Sequence, residues 1–521
     1  MSGLTRRQLL RQAGFAGGVA LAAEPFAKTL WRQGYPFSLG VASGEPTSDG
    51  MVLWTRLAPD PLEAGGGMPP VNVPVRWEIS ESADFKSVRS GTAIADAFWG
   101  HSVHVEVTGL KPDRPYWYRF IVGGEASATG RTRTAPLAGA KVDRLRLVFA
   151  SCQNFEAGNY AAHRHIVEEE PDLVLFLGDY IYETNSQNPE VRRHPTPEPT
   201  DLAGYRARYA TYKLDPALQA AHRCAPWIST WDDHEVADNY GGAYDKHNSD
   251  PAIFLRRRAA AYQAFYEHMP LRRHARPTGP NLKLYRTVNW GSLAQFQIID
   301  DRQYRDPPPC QKPDAISLHL DTAQLVQDCA ERNDPRRSLL GAAQEQWLWE
   351  RLAKTSSRWN VLAQQTLMMP YRRSPPGKAE AIPSYYNADG WGGYPATHKR
   401  LIRHLRDVRT PNPLILSGDI HAFAAGDHAD PDGRGETIAS EFVGGSITSR
   451  NRDGGINLAP ARDPAFRYTD GNMQGYGRLE LTAEGCEVVF RGLADVRDPL
   501  SAISDIAHFF VGQGKPGIVR T

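Results

Sequence analysis

The stretch that most constrains this chain is Asp172–Glu183, DLVLFLGDYIYE. A short, wholly apolar run ending in Gly-Asp reads as a buried strand of a central sheet. Side chains just past such a strand leave the packed layer and point into the cleft where open α/β sheets bind ligands. Asp179 there, with the Tyr182 phenol three residues on, can reach a hard metal ion; an ordinary turn is the competing reading.

Three more strand-like runs end in the same way. Leu145–Ser151 leads into Cys152, Trp227–Trp231 into Asp232-Asp233-His234-Glu235, and Leu414–Ser417 into Gly418-Asp419-Ile420-His421. Singly, a Cys after a strand is core and an Asp-rich turn is a cap. Four strand ends carrying thiol, carboxylate, phenol and imidazole groups describe one cleft.

Taken in order, GD, DHE and GDxH resemble the calcineurin-like metallophosphoesterases. GDYIY, WDDHE and SGDIH together are similar to the PhoD-like alkaline phosphatase/phosphodiesterase branch of that superfamily. The superfamily's usual Asp-x-His opening is replaced by Ser151-Cys152-Gln153, as in that branch. The resemblance implies an α+β fold: a calcineurin-like αβ sandwich of two mixed sheets flanked by helices, preceded by a small fibronectin-III-like β domain. It implies one Fe3+ and Ca2+ in the cleft. Cys152, Asp179, Tyr182 and His421 suit the iron side, because thiolate and phenolate favour Fe3+. Asp233 and Asp419 suit the calcium side, Asp179 bridges, and Asp232 is either a ligand or a neighbour of one. His234 is expected to contact phosphate and protonate the leaving group. Arg302, in DDRQYR, is a fork able to grip two phosphate oxygens, or else a surface arginine paired with Asp301 or Asp306. Tyr385, Tyr386, Trp391 and Tyr394 line the mouth of the cleft or pack their own loop.

The implied activity is hydrolysis of phosphate mono- or diesters, including phospholipid or nucleotide-type diesters, by a metal-activated water or hydroxide. A phospholipase-D-like phosphodiesterase is the nearest alternative. An iron oxidoreductase would need no calcium and no phosphate-binding groups, and a β-domain adhesin would leave the four strand ends unexplained.

The remaining sequence sets the frame. Among 521 residues, 60 Lys and Arg stand against 59 Asp and Glu, so no global field favours a stable nucleic-acid complex. No run is long and apolar enough for a transmembrane segment. Arg6-Arg7 ahead of the mild AGFAGGVALAA resembles a twin-arginine signal, here residues 1–27, and implies use of that translocation machinery and a periplasmic or secreted protein. Five cysteines leave at least one unpaired, and Cys310 and Cys329 are a plausible disulfide in an oxidising compartment. Residues 36–137 read as the β domain, because Gly-Leu-Lys-Pro precedes Tyr116-Trp117-Tyr118 as in a fibronectin tyrosine strand. Residues 143–500 read as the catalytic domain and 501–521 as a tail, with a covering helix the only element suggested there.

Overall fold

A computed structural model describes residues 34–247, 249–310, 325–374, 384–451, 453 and 455–521. The expected signal segment lies outside the described residues. The strands Arg144–Ala150, Leu173–Leu177 and Trp227–Thr230 run parallel, side by side. Their sequences are almost continuously apolar because both faces are covered. Antiparallel strands Gly475–Thr482 and Gly485–Leu493 extend this sheet on one side. Ile503–Gly512 and Lys515–Arg520 then complete it. The C-terminal tail is therefore sheet, not the covering helix suggested by the sequence. Ala507, Phe509 and Val511 alternate into the core, the period-two signature of a half-buried strand.

A second, seven-stranded sheet lies face to face with the first. Its order is Arg286–Trp290, Ala294–Ile298, Trp359–Ala363, Pro413–Ser417, Thr437–Gly444, Phe423–Ala429 and Phe466–Asp470. Leu147, Phe149 and Leu175 from one sheet pack with Phe296, Val361 and Leu416 from the other. The outer face of the first sheet is covered by helices Ala161–Glu168, Leu202–Lys213, Pro216–Cys224 and Pro251–His268. Helices Ala342–Lys354 and Pro395–Asp407 cover the second. Asp201, Asp215 and Asp250 each cap a following helix by accepting a first-turn N–H, which fixes where three of these helices begin.

The N-terminal β region is a two-sheet sandwich around Leu53, Val75, Tyr118 and Phe120. The Lys111 N–H donates to the Tyr116 hydroxyl at 2.9 Å, a tyrosine corner that closes the turn before its strand. One of its sheets is not free-standing. Val41–Thr47, Gly50–Arg56 and Ser102–Val107 continue the ten-stranded sheet through a parallel pairing of Gly44 with Trp227. Cys310 and Cys329 are disulfide-bonded, and Cys152, Cys224 and Cys486 are free.

Candidate metal centre

The parallel strands ending at Ala150, Leu177 and Thr230 in one sheet, and at Ile298, Ala363, Ser417 and Gly444 in the other, carry their following turns to one edge of the sandwich. Those turns are tight. Cys152, Asp179, Asp419 and His421 all sit at positive φ, at 59°, 56°, 68° and 53°. Non-glycine residues hold such a conformation only where surrounding contacts over-determine it. The glycine before each aspartate is required by close approach. A Cβ on Gly178 would lie 2.4 Å from the Asp232 Cβ, and one on Gly418 would lie 2.4 Å from the Ser151 Oγ.

Ligand atoms of Cys152, Asp179 and His421 lie within 4.8 Å of one another, as do those of Asp179, Asp233 and His234. Asp179 belongs to both groups. The Tyr182 phenol stands inside the first: it donates to Asp179 Oδ2 at 2.8 Å, and its oxygen is 3.0 Å from His421 Nε2. His421 Nδ1 donates to the Arg450 carbonyl at 3.1 Å, which turns Nε2 toward the cluster. Asp179 Oδ1 is buried with no hydrogen-bond partner among the described residues. Tyr180 points away into the helical layer, where its hydroxyl meets His222 Nε2 at 2.7 Å.

Asp232 and Asp419 fall in neither group; they face Arg302. That arginine is fully buried, so the surface reading of it does not hold. Its Nε donates to Asp232 Oδ1, and its Nη1 donates to both oxygens of Asp389, at 2.8 and 2.9 Å. Among the described residues Nη2 has no hydrogen-bond acceptor, and it lies 3.6 Å from Asp233 Oδ1 and 3.9 Å from Asp419 Oδ1. The aromatic loop also differs from the expectation of a mouth. Trp391 is buried, donating to Gln364 Oε1 at 3.0 Å. Tyr394 is buried too, donating to the Asp306 carbonyl at 2.5 Å. Tyr385 and Tyr386 are half-buried in a small three-stranded sheet.

Four residues not singled out from the sequence organise the site. Glu235 accepts the backbone N–H groups of Asp179, Tyr180 and Asp232 at 3.2, 2.6 and 2.8 Å, tying two strand ends together. Glu183 accepts from His234 Nδ1 at 2.7 Å and from the Asp238 N–H at 2.6 Å. Asp389 clamps Arg302 and also accepts from Arg305 at 2.7 Å. Ser449 donates to the Tyr182 oxygen at 2.7 Å. Glu183 and Glu235 close the DLVLFLGDYIYE and WDDHE motifs, so their position was a usable signal; Asp389 and Ser449 stand in loops with none.

The electrostatics call for a cation. Burial above all pushes the Cys152 thiol, the Tyr182 phenol and the Asp179 and Asp232 carboxyls well above their ordinary values; neighbouring acids add to it, while His234 opposes it at Asp179 and Arg302 at Asp232. Asp419 is pushed up to about 8, again by burial first. Burial acts the same way on Asp233, but Arg302 and His234 outweigh it and hold Asp233 below the usual carboxylate range. Burial would lower His234, yet Glu183, Asp233 and Asp179 hold it well above the ordinary imidazole value. A metal cation among these donors inverts such shifts and stabilises the anionic ligands. The donor set therefore fits a bound metal.

Two mixed sheets packed face to face, with a buried acid, thiol, phenol and imidazole cluster where their parallel strands end, define a metallophosphoesterase-like hydrolase. The sequence profile of PhoD-like phosphatase matches residues 147–490, and that of the PhoD-like phosphatase N-terminal domain matches residues 22–136. The chain belongs to the PhoD-like phosphatase family and is a phosphoester hydrolase. It is 42% identical to alkaline phosphatase D of Bacillus subtilis (strain 168) over 496 residues, covering 93% of this chain and 82% of that one. A solved structure of PhoD superposes with a TM-score of 0.86 at 40% identity, covering 94% of this chain and 92% of that one. A purple acid phosphatase from yellow lupin (Lupinus luteus) seeds shares the fold, with a TM-score of 0.59 at 11% identity, covering 92% of this chain and 74% of that one. Among the described residues no helix is long and apolar enough to cross a membrane.

Proposed function

We propose that the chain is an exported, metal-dependent alkaline phosphatase and phosphodiesterase. Cys152, Asp179, Tyr182 and His421 would hold Fe3+. Asp179, Asp233 and Asp419, with Asp232 beside them, would hold Ca2+. The observation that carries this is the placement of the Tyr182 oxygen between Asp179 and His421, beside Cys152. A soft thiolate and a phenolate suit Fe3+ on one side, and an all-carboxylate set suits a hard cation on the other. When bound, such ions would supply Lewis acidity to the phosphoryl oxygens and lower the pKa of the attacking water.

The chain's own groups do the rest. Asp179 spans both halves of the centre. Glu183 engages His234 Nδ1, which leaves Nε2–H as the proton for the departing ester oxygen. Stacking of the His234 and Tyr182 rings, with centroids 4.0 Å apart, fixes the imidazole plane. Arg302 orders Asp232 and Asp389 and counters the charge of five carboxylates, with Nη2 turned toward Asp233 and Asp419. The N-terminal sandwich is read as fibronectin-III-like, because its strands divide three and five between two sheets about a tyrosine corner. The Arg6-Arg7 segment supports twin-arginine export to the periplasm or beyond.

Metal analysis of the purified protein tests the assignment, combined with hydrolysis of p-nitrophenyl phosphate and bis-p-nitrophenyl phosphate before and after chelation. Iron and calcium are expected, with activity lost on chelation; hydrolysis that persists without either metal overturns the metal assignment. Tyr182→Phe is expected to remove a phenolate-to-iron absorption band. Replacing Arg6 and Arg7 by lysine is expected to retain the protein in the cytoplasm, as read by cell fractionation.

A further inference from the structure

The turn Gly445–Arg450 follows the strand Thr437–Gly444 and is zipped onto the Ser151-Cys152 strand end. The Ile447 N–H donates to the Ser151 carbonyl at 3.0 Å, and the Thr448 and Ser449 N–H groups both donate to the Cys152 carbonyl at 3.3 Å. Ser446 Oγ in turn donates to the Ser449 carbonyl, so the backbone of Ser449 is fixed from both sides. Its side chain is buried, 3% exposed, against the metal-facing cluster.

The Ser449 hydroxyl has one proton and two neighbours, the Tyr182 oxygen at 2.7 Å and the Cys152 carbonyl at 3.0 Å. A carbonyl oxygen has two lone pairs, and both at Cys152 are already used by the backbone donors of Thr448 and Ser449. The shorter contact, to Tyr182, therefore takes the proton. The Tyr182 oxygen needs such a donor. Its other two polar neighbours are acceptors: the Asp179 carboxylate, and His421 Nε2, whose ring donates through Nδ1. Among the described residues, Ser449 is the hydrogen-bond donor to that oxygen.

We infer that Ser449 is the positioning residue for Tyr182: its hydroxyl donates to the phenolic oxygen, fixes the ring toward Cys152 and His421, and stabilises negative charge on that oxygen. The inference rests on the reading of Tyr182 as an iron ligand. Hydrogen bonds to charged acceptors are about twice as strong as neutral ones. The partners of a metal ligand tune its basicity, and losing one typically costs roughly 10–100-fold in metal affinity. A donor on a phenolate also lowers the energy of its electrons, so it raises the energy of any charge transfer to iron.

The test compares wild type, Tyr182→Phe and Ser449→Ala purified with metal. Tyr182→Phe separates the two readings: loss of the visible band makes Tyr182 its source, and a retained band overturns both the ligand role and the inference that rests on it. Given that loss, Ser449→Ala is expected to shift the band to longer wavelength. Iron affinity, read by chelator competition, should fall roughly 10–100-fold. An unshifted band with unchanged affinity overturns the role of Ser449 and leaves the Tyr182 assignment standing. If Ser449→Ala does not fold, resonance Raman of the wild type decides. The phenolate C–O mode should move between H2O and D2O, because the Ser449 hydroxyl proton that it accepts exchanges; an unmoved mode overturns the inference.

Discussion

At the scale of single residues, His234 is held by geometry that a conservative change can break. Its Nδ1 faces Glu183 at 2.7 Å, and Glu183 is itself fixed by the Asp238 N–H at 2.6 Å. Glu183→Gln keeps the volume but removes the negative charge that favours the protonated ring. The expected result is a fall in kcat of roughly 10–100-fold with KM little changed. Glu183→Asp, which keeps the charge on a shorter arm, should recover part of it. An unchanged kcat in the glutamine variant overturns the role given to Glu183. The strand-end cluster was legible because its signal is local: a buried run followed at once by Cys152, by Gly178-Asp179, by Asp232-Asp233 or by Gly418-Asp419. Arg302 was not legible in the same way. Its partners, Asp232 and Asp389, lie 70 and 87 positions away in sequence. Only the fold shows that this fork-shaped cation sits buried among acids.

At the scale of elements, the helix Leu202–Lys213 carries an unusual terminus. Lys213 is buried beside Trp54 of the N-terminal sandwich and Tyr180 of the central strand turn, with its Nζ 4.3 and 5.3 Å from their ring centroids. His222 and His268 are the titratable neighbours whose own charging it opposes. Burial pulls the Lys213 amine down from 10.5 to about 7. The unfolded chain then binds more protons than the folded one between pH of about 7 and 10.5, so stability rises with pH across that window. Below the window the cost of the buried charge is felt in full. It is offset in part by the ring faces and the negative helix end. Lys213→Met should therefore stabilise the protein on the order of 2–3 kcal/mol near pH 6, with a gain that shrinks toward pH 10. Thermal unfolding at the two pH values measures this, and a gain independent of pH overturns it. In Leu202–Lys213 the Asp201 cap is a local signal, but burial of every residue from Ala207 to Lys213 leaves no one-faced apolar periodicity. The C-terminal strands carried the alternation of Ala507, Phe509 and Val511, but Lys515–Arg520 is a half-exposed edge strand rich in Gly, Lys and Arg, and such edges are built without an apolar signature.

At the scale of the whole molecule, the sequence divides into a β domain and a catalytic domain, while the sheet does not. Three strands of the N-terminal sandwich continue the catalytic sheet, and the seam between them is polar and specific. Trp54 Nε1 donates to the Glu267 carbonyl at 3.0 Å, Arg56 Nη1 to His268 Nε2 at 2.8 Å, and Arg133 to Asp172 at 2.7 Å. The Arg286 guanidinium holds the Glu45 carboxylate with Nε–O distances of 2.9 Å. Pattern reading could not see this seam, because each half satisfies its own periodicity and the joining pair, Gly44 with Trp227, is a single register point. Its removal has two costs. Trp227 loses its strand neighbour, and the buried groups of Glu267, His268 and Lys213 lose the partners that cover them, each unsatisfied polar group costing about 1–3 kcal/mol. Such losses are comparable to the whole stability of a folded chain, about 5–15 kcal/mol. Calorimetry of the intact protein should accordingly show one cooperative transition, and a chain beginning near residue 140 should be insoluble or unfolded when expressed alone. A soluble, active fragment lacking the sandwich, or two well-separated transitions in the intact protein, would show that the strand ends bearing Cys152, Asp179 and Asp233 hold their geometry without it.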